Sequence, residues 1–210
     1  MLERKRGMNC IEIAHLSKSI KQRQVLNDIS LNIERNSICG FIGPNGSGKT
    51  MLFRAIAGFL NVPLESIQRD KNMSMGVIIE NPAFINNFTG FENLAYLASI
   101  KHCITEKQIK SIMEQIQLDP GDHRRVKEYS LGMKQKLAVV QAVMEKPELL
   151  ILDEPTRGLD ESGINCVHSI LREQHKNGVT ILIASHDKAD IKSLCQHLFY
   201  LEEGRLVKTD

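Results

Sequence analysis

Residues 37–50 read SICGFIGPNGSGKT: a short apolar run that leads directly into a glycine-rich octapeptide ending in Lys49-Thr50. A run of this kind bounded by a turn signal reads as a buried strand. The octapeptide Gly43-Pro44-Asn45-Gly46-Ser47-Gly48-Lys49-Thr50 fits the pattern G-x-x-x-x-G-K-[ST], and a helical stretch follows from Lys49 to about Leu60. Glycines let the backbone curl until successive N–H groups face one point, and the start of the helix adds its positive end there. Such a cradle suits phosphate. Lys49 would reach the terminal phosphates of a nucleotide, and the Thr50 hydroxyl would take Mg²⁺. A simple glycine turn would account for the glycines but not for the lysine.

Outward from this stretch, strand and helix signals alternate. Residues 10–16 (CIEIAHL) and 28–34 (DISLNIE) alternate apolar and polar, which predicts strands with one wet face, separated by a polar turn over 17–24. Buried runs recur at 75–79 (MGVII), 148–153 (ELLILD) and 179–185 (VTILIAS), with helices expected near 161–176 and 188–196 and a last hairpin around Gly204. Residues 82–145 are mostly helical in pattern and include EYSLGMKQKLAVV (128–140), a helix that begins at a serine. Buried runs separated by helices predict an α/β fold with a mainly parallel sheet. The two wet strands predict an N-terminal antiparallel part beside it. The expected organisation is one domain over residues 1–210, with a core of 1–81 and 146–210 and an inserted helical subdomain at 82–145.

Composition narrows the function. The chain has 210 residues, 42% of them hydrophobic, enough for a sizeable core. Its net charge of +2, its 5% aromatic content and its lack of Trp argue against a nucleic-acid partner. The five cysteines are scattered and show no C-x-x-C spacing, as expected of thiols in a reducing compartment. No apolar stretch approaches the ~18 residues of a membrane span. A cytoplasmic protein is expected.

Two further clusters bear chemistry. Leu149-Leu150-Ile151-Leu152 ends in Asp153-Glu154, and a buried strand delivers its C-terminal residues to the ligand edge of an α/β sheet. Asp153 could hold Mg²⁺, and Glu154 could polarise an attacking water. His186 follows the buried run 179–185 on the same side and could reach a γ-phosphate. The other six histidines read as surface or structural residues.

Taken together and in this order, these residues resemble the nucleotide-binding subunits of ABC transporters over nearly the whole chain. The resemblance makes Gly43–Thr50 the Walker A motif and Leu149–Asp153 the Walker B motif of a P-loop NTPase, with Glu154 as catalytic carboxylate and His186 as switch histidine. Gly158-Leu159-Asp160 matches the D-loop. Tyr129-Ser130-Leu131-Gly132-Met133 falls on the family signature LSGGQ. The resemblance implies an ATPase that binds ATP and Mg²⁺ and closes as a homodimer, or a heterodimer with a similar subunit. Ser130 and Gly132 would then meet the γ-phosphate held by the other subunit. It also implies a separate transmembrane permease, which would hold the chain at the inner face of the plasma membrane.

The run Val126–Gln135 and the stretch Thr89-Gly90-Phe91-Glu92-Asn93-Leu94 are similar to bacterial exporters of the bacitracin-resistance and lantibiotic-immunity type, which implies export. The permease contact would lie around Glu80–Phe91. A soluble ATPase of this type acting on a non-membrane partner is the alternative. Several residues depart from the family pattern. Leu131 replaces a signature glycine and Met133 the usual glutamine. Glu80 stands at the Q-loop glutamine and would act on Mg²⁺ or its waters. Ile20 falls near the aromatic that stacks on adenine, a weaker platform that implies relaxed base selectivity. Residues 61–74 lack the usual Pro-x-x-Gly turn, which implies a trimmed antiparallel part.

Overall fold

A computed structural model describes residues 9–80, 83–186 and 191–209. Its larger sheet has six strands in the order β5-β6-β7-β3-β8-β9. Five of them run parallel: β3 (Ile38–Ile42), β5 (Met75–Ile78), β6 (Leu149–Asp153), β7 (Thr180–Ser185) and β8 (His197–Glu202). The edge strand β9 (Arg205–Thr209) returns antiparallel to β8 through a turn at Glu203-Gly204. Every residue of β3, β6 and β7 is buried, which is why those runs carry no polar alternation.

The period of two splits each central strand between two cores. Leu150 and Leu152 face one side, with Val139, Val140 and Val143 of α4 (Leu131–Val143). Leu149 and Ile151 face the other, with Leu52, Phe53 and Ile56 of α1 (Lys49–Ala57). Phe41 anchors the second core, edge-on to Phe53 at 5.2 Å and stacked on Phe199 at 5.0 Å. Helix α4 approaches the sheet so closely that a Cβ on Gly76 of β5 would lie 1.9 Å from the Ala142 carbonyl oxygen.

A separate three-stranded antiparallel sheet, β2-β1-β4, covers the second core. It is trimmed as the sequence implies, since β4 (Ile67–Arg69) has only three residues. The hairpin of β1 (Asn9–Ile20) and β2 (Arg23–Glu34) corrects the turn expected over 17–24. The reversal takes just Lys21 and Gln22, both in the left-handed region with φ of 46° and 67°. A two-residue hairpin needs that conformation twice, and sequences usually announce it with Asn-Gly. Without that signal, the polar residues Lys18 and Ser19 read as loop although they pair with β2.

The remaining helices stop and start on local chemistry. α1 ends at Gly58, whose φ of 83° caps it short of the expected Leu60. α2 (Gly90–Lys101) and α3 (Glu106–Gln115) begin in capping boxes, Thr89 with Glu92 and Thr105 with Gln108. These two helices and α4 come between β5 and β6 in the chain. α5 spans Glu161–Lys176 as expected, capped by Asp160. The helix expected near 188–196 begins outside the described residues, and the chain has already left helical geometry at Ser193. The boundary expected at 81/82 also lies outside them.

Candidate nucleotide-binding site

The sheet order brings the candidate residues together, because β6, β7 and β3 are neighbours whose C-terminal ends form one edge. In register, Asp153 lies opposite Ala184 and Ile42 opposite Ser185. The loop after β3, the carboxylates after β6 and His186 after β7 therefore share that edge. A cleft of about 1050 Å³ opens there, lined among others by Pro44–Met51, Glu80, Asp153 and Glu154; His186 and Gly43 are outside its lining, and His186 is tied to it through Glu154.

The loop is built to surround something. Gly48 has φ 107° and leads into α1 as its N-cap, and Gly46 has φ 81° with open space where a side chain would be. Gly43 is needed for a different reason, since a Cβ there would sit 2.2 Å from the Leu201 carbonyl oxygen. Ser47 is 3% exposed, and its buried hydroxyl has no hydrogen-bond partner among the described residues. A buried hydroxyl left so is costly, and a phosphate oxygen would satisfy it. Pro44, Asn45 and Gly46 form the exposed rim.

Lys49 is buried, and its Nζ donates to the carbonyl oxygens of Gly43 at 2.6 Å and Pro44 at 3.1 Å. Burial pulls its pKa below the usual lysine range, against the nearby charges of Glu154 and Asp153. The ammonium thus lies folded over the mouth of its own loop. The Thr50 hydroxyl donates to Asp153 Oδ2 at 2.5 Å. Burial raises the Asp153 carboxyl above its ordinary value, opposed by the Thr50 hydrogen bond. A hydroxyl and a buried carboxylate in contact form an oxygen donor set that fits Mg²⁺. Glu80 lines the same cleft, but its Oε2 is 2.8 Å from Nη2 of Arg54, and its backbone is left-handed at φ 61°.

Glu154 also stands in the left-handed region, at φ 52°. Its N–H donates to the Ala184 carbonyl at 2.9 Å, and its carboxylate accepts the His186 backbone N–H at 2.9 Å. His186 Nδ1 lies 2.8 and 2.9 Å from the two carboxylate oxygens. That contact directs the other ring nitrogen away from Glu154.

The signature residues are arranged differently. Ser130 caps α4 by accepting from the Met133 N–H at 3.2 Å, yet it is exposed and does not line the chain's own cleft. Gly132 does not line it either; a Cβ there would lie 3.0 Å from the Gly158 carbonyl oxygen. Leu131, between them, does line the cleft, and it packs on another glycine, with Cδ2 2.8 Å from where a Gly158 Cβ would be. Asp160 accepts from the Gly163 N–H at 2.8 Å as the cap of α5 and is outside the cleft lining.

Some cleft residues were not singled out in the sequence. Buried Gln135 donates to the carbonyl oxygens of Glu154 at 3.3 Å and Pro155 at 3.0 Å, tying α4 to the loop that carries Glu154. Its place one turn beyond the capping serine was the available signal. Arg23, Gln24 and Val25 of β2 and Glu203-Gly204 line the far end. Ile20 does not; it is 38% exposed at the hairpin tip.

A curled glycine loop between a parallel strand and a helix, a lysine inside it, and a hydroxyl–carboxylate pair at the sheet edge define a P-loop nucleotide-binding domain. The ABC transporter family matches residues 26–157. The ABC transporter ATP-binding protein YybJ of Bacillus subtilis is 40% identical over 205 residues, covering 93% of this chain and 94% of that one. The bacitracin transport ATP-binding protein BcrA of Enterococcus faecalis is 37% identical over 209 residues, covering 94% of this chain and 68% of that one. A solved ATP-binding subunit of an ABC transporter superposes with a TM-score of 0.82 at 26% identity, over 96% of this chain and 89% of that one. The chain belongs to the ABC transporter family, as one of its ATP-hydrolysing proteins.

Proposed function

We propose that this chain is the motor subunit of an exporter: two copies, or this chain and a similar subunit, close around ATP and drive a separate membrane permease. The observation that carries the reading is the N-terminus of α4. Leu131 borders the chain's own cleft, but Ser130 and Gly132 on either side of it are not in the lining and Ser130 is exposed, which leaves their donors open to a second subunit. Closing the pair would bring a second helix start to the γ-phosphate and stabilise charge that develops there.

Within each site, Gly43–Thr50 would cradle the phosphates, with Lys49 exchanging its carbonyl contacts for phosphate oxygens. Mg²⁺, held by Thr50, Asp153 and Glu80, would neutralise phosphate charge. Glu154 would accept a proton from the attacking water, oriented by His186. Asp160, at the start of α5 and close to the signature helix, would sit at the subunit boundary.

The helical block of 82–145 would carry the motion to the permease. Ile85, before α2, and Tyr96 and Ile100, one turn apart on α2, are exposed by 40, 54 and 68%, apolar surface that a docked membrane partner would cover. Export is supported by the likeness to a bacitracin transport protein. The test is the ATP-dependent dimer. In a Glu154→Gln background, ATP is expected to shift the protein to a dimer on a sizing column, and adding Ser130→Arg to return it to monomer with ATP still bound. A double variant that still dimerises, or that no longer binds ATP as a monomer, overturns the trans arrangement.

A further inference from the structure

We infer that Arg54 is the counter-charge that lets a glutamate occupy position 80 of the cleft without repelling the nucleotide. This rests on the nucleotide-binding reading above. Glu80, Asp153 and Glu154 line one cleft, and a nucleoside triphosphate brings several more negative charges into it. A glutamine at position 80 would add no charge, whereas a glutamate adds a full one where the triphosphate must sit. Like charges in one cleft oppose binding unless a nearby cation compensates them.

The structure supplies that cation from the helix that begins at the phosphate loop. Thr50 and Arg54 are four residues apart on α1, hence on one face and one turn from each other. Thr50 meets Asp153, and Arg54 meets Glu80 with Nη2–Oε2 of 2.8 Å. One helix face thus holds two of the cleft's carboxylates, Asp153 by a hydroxyl and Glu80 by a guanidinium. Glu80 keeps a left-handed backbone at φ 61°, which a non-glycine residue adopts at a cost. The contact with Arg54 helps offset it. Arg54 is a positioning residue: it neutralises Glu80 before Mg²⁺ arrives and holds the carboxylate beside the Thr50–Asp153 pair.

The experiment is calorimetric titration of the full chain with the non-hydrolysable analogue AMP-PNP, in EDTA and then in Mg²⁺. It covers wild type, Arg54→Gln, Arg54→Lys, Glu80→Gln and the double variant Arg54→Gln/Glu80→Gln. In EDTA, Arg54→Gln is expected to weaken binding about fivefold, the scale of one partly exposed ion pair. The double variant is expected to bind as Glu80→Gln does, because no charge remains to compensate. Arg54→Lys keeps the charge and is expected to stay within about twofold of wild type. The inference is overturned if Arg54→Gln has no effect, if its loss persists undiminished beside Glu80→Gln, or if Arg54→Lys binds as poorly as Arg54→Gln. Failure of the wild-type chain to bind the analogue at all would instead sink the nucleotide-binding reading.

Discussion

Replacing Gln135 with leucine tests whether the loop of Glu154 is held from α4. Leucine nearly fills the same volume but cannot donate, so the carbonyl oxygens of Glu154 and Pro155 lose donors at 3.3 and 3.0 Å. Glu154 keeps one other donor, the Arg157 N–H at 3.2 Å. The heavier loss therefore falls on Pro155. Each net hydrogen bond contributes about 1 kcal/mol, and a buried acceptor left bare costs about 1–3 kcal/mol. Together these predict a loss of about 2 kcal/mol. For a chain of this size ~1 kcal/mol moves the melting temperature by roughly 2–4 °C, so Gln135→Leu is expected to melt about 4–8 °C lower by circular dichroism. Glu154 is already in a left-handed conformation that costs on the order of 1 kcal/mol. A looser loop should misplace its carboxylate and lower ATP turnover about tenfold, since small misplacements at reacting groups cost that much or more. AMP-PNP affinity should fall less than turnover. A melting temperature within about 1 °C of wild type, or an affinity loss as large as the turnover loss, would refute the reasoning.

Glu154→Gln should keep ATP binding and lose most phosphate release, as a positioned base contributes ~10²–10⁴-fold, whereas Lys49→Ala should weaken binding itself by deleting a charge-assisted contact; turnover of Glu154→Gln at the wild-type level would remove Glu154 from the mechanism. With Ile20 outside the cleft and no aromatic among the described residues that line it, ATP and GTP should compete for binding within about tenfold of each other, since lost stacking amounts to roughly 1 kcal/mol; a hundredfold preference measured by competition would show that Arg23, Gln24 or Val25 supplies a selective platform. Burial pushes the Cys39 thiol up to about 11, so at pH 8 it should resist maleimide in the folded protein while exposed Cys103 reacts, as read by mass spectrometry; rapid labelling of Cys39 would contradict its place in the core.

The phosphate loop, the parallel sheet and the signature helix were legible in the sequence because each is written in contiguous residues. Glycines at fixed spacing before Lys49, the unbroken apolar runs of β6 and β7, and Ser130 ahead of a helical repeat carry their meaning locally. The two-residue reversal at Lys21-Gln22 was not legible, because residues other than Asn-Gly adopt its left-handed geometry only when the paired strands enforce it. Contacts between distant residues were decided by tertiary structure alone. Thr50 meets Asp153 across 103 positions of sequence, and only the order β6-β7-β3 makes those ends neighbours. Arg54 is one of many basic residues until the end of β5 is brought against α1, and Gln135 reads as an ordinary helical residue until its amide is found under the loop of Glu154. Sequence patterns record what a segment buries and where it turns. Which charge faces which depends on how separated segments pack, and short-range patterns carry no information about that.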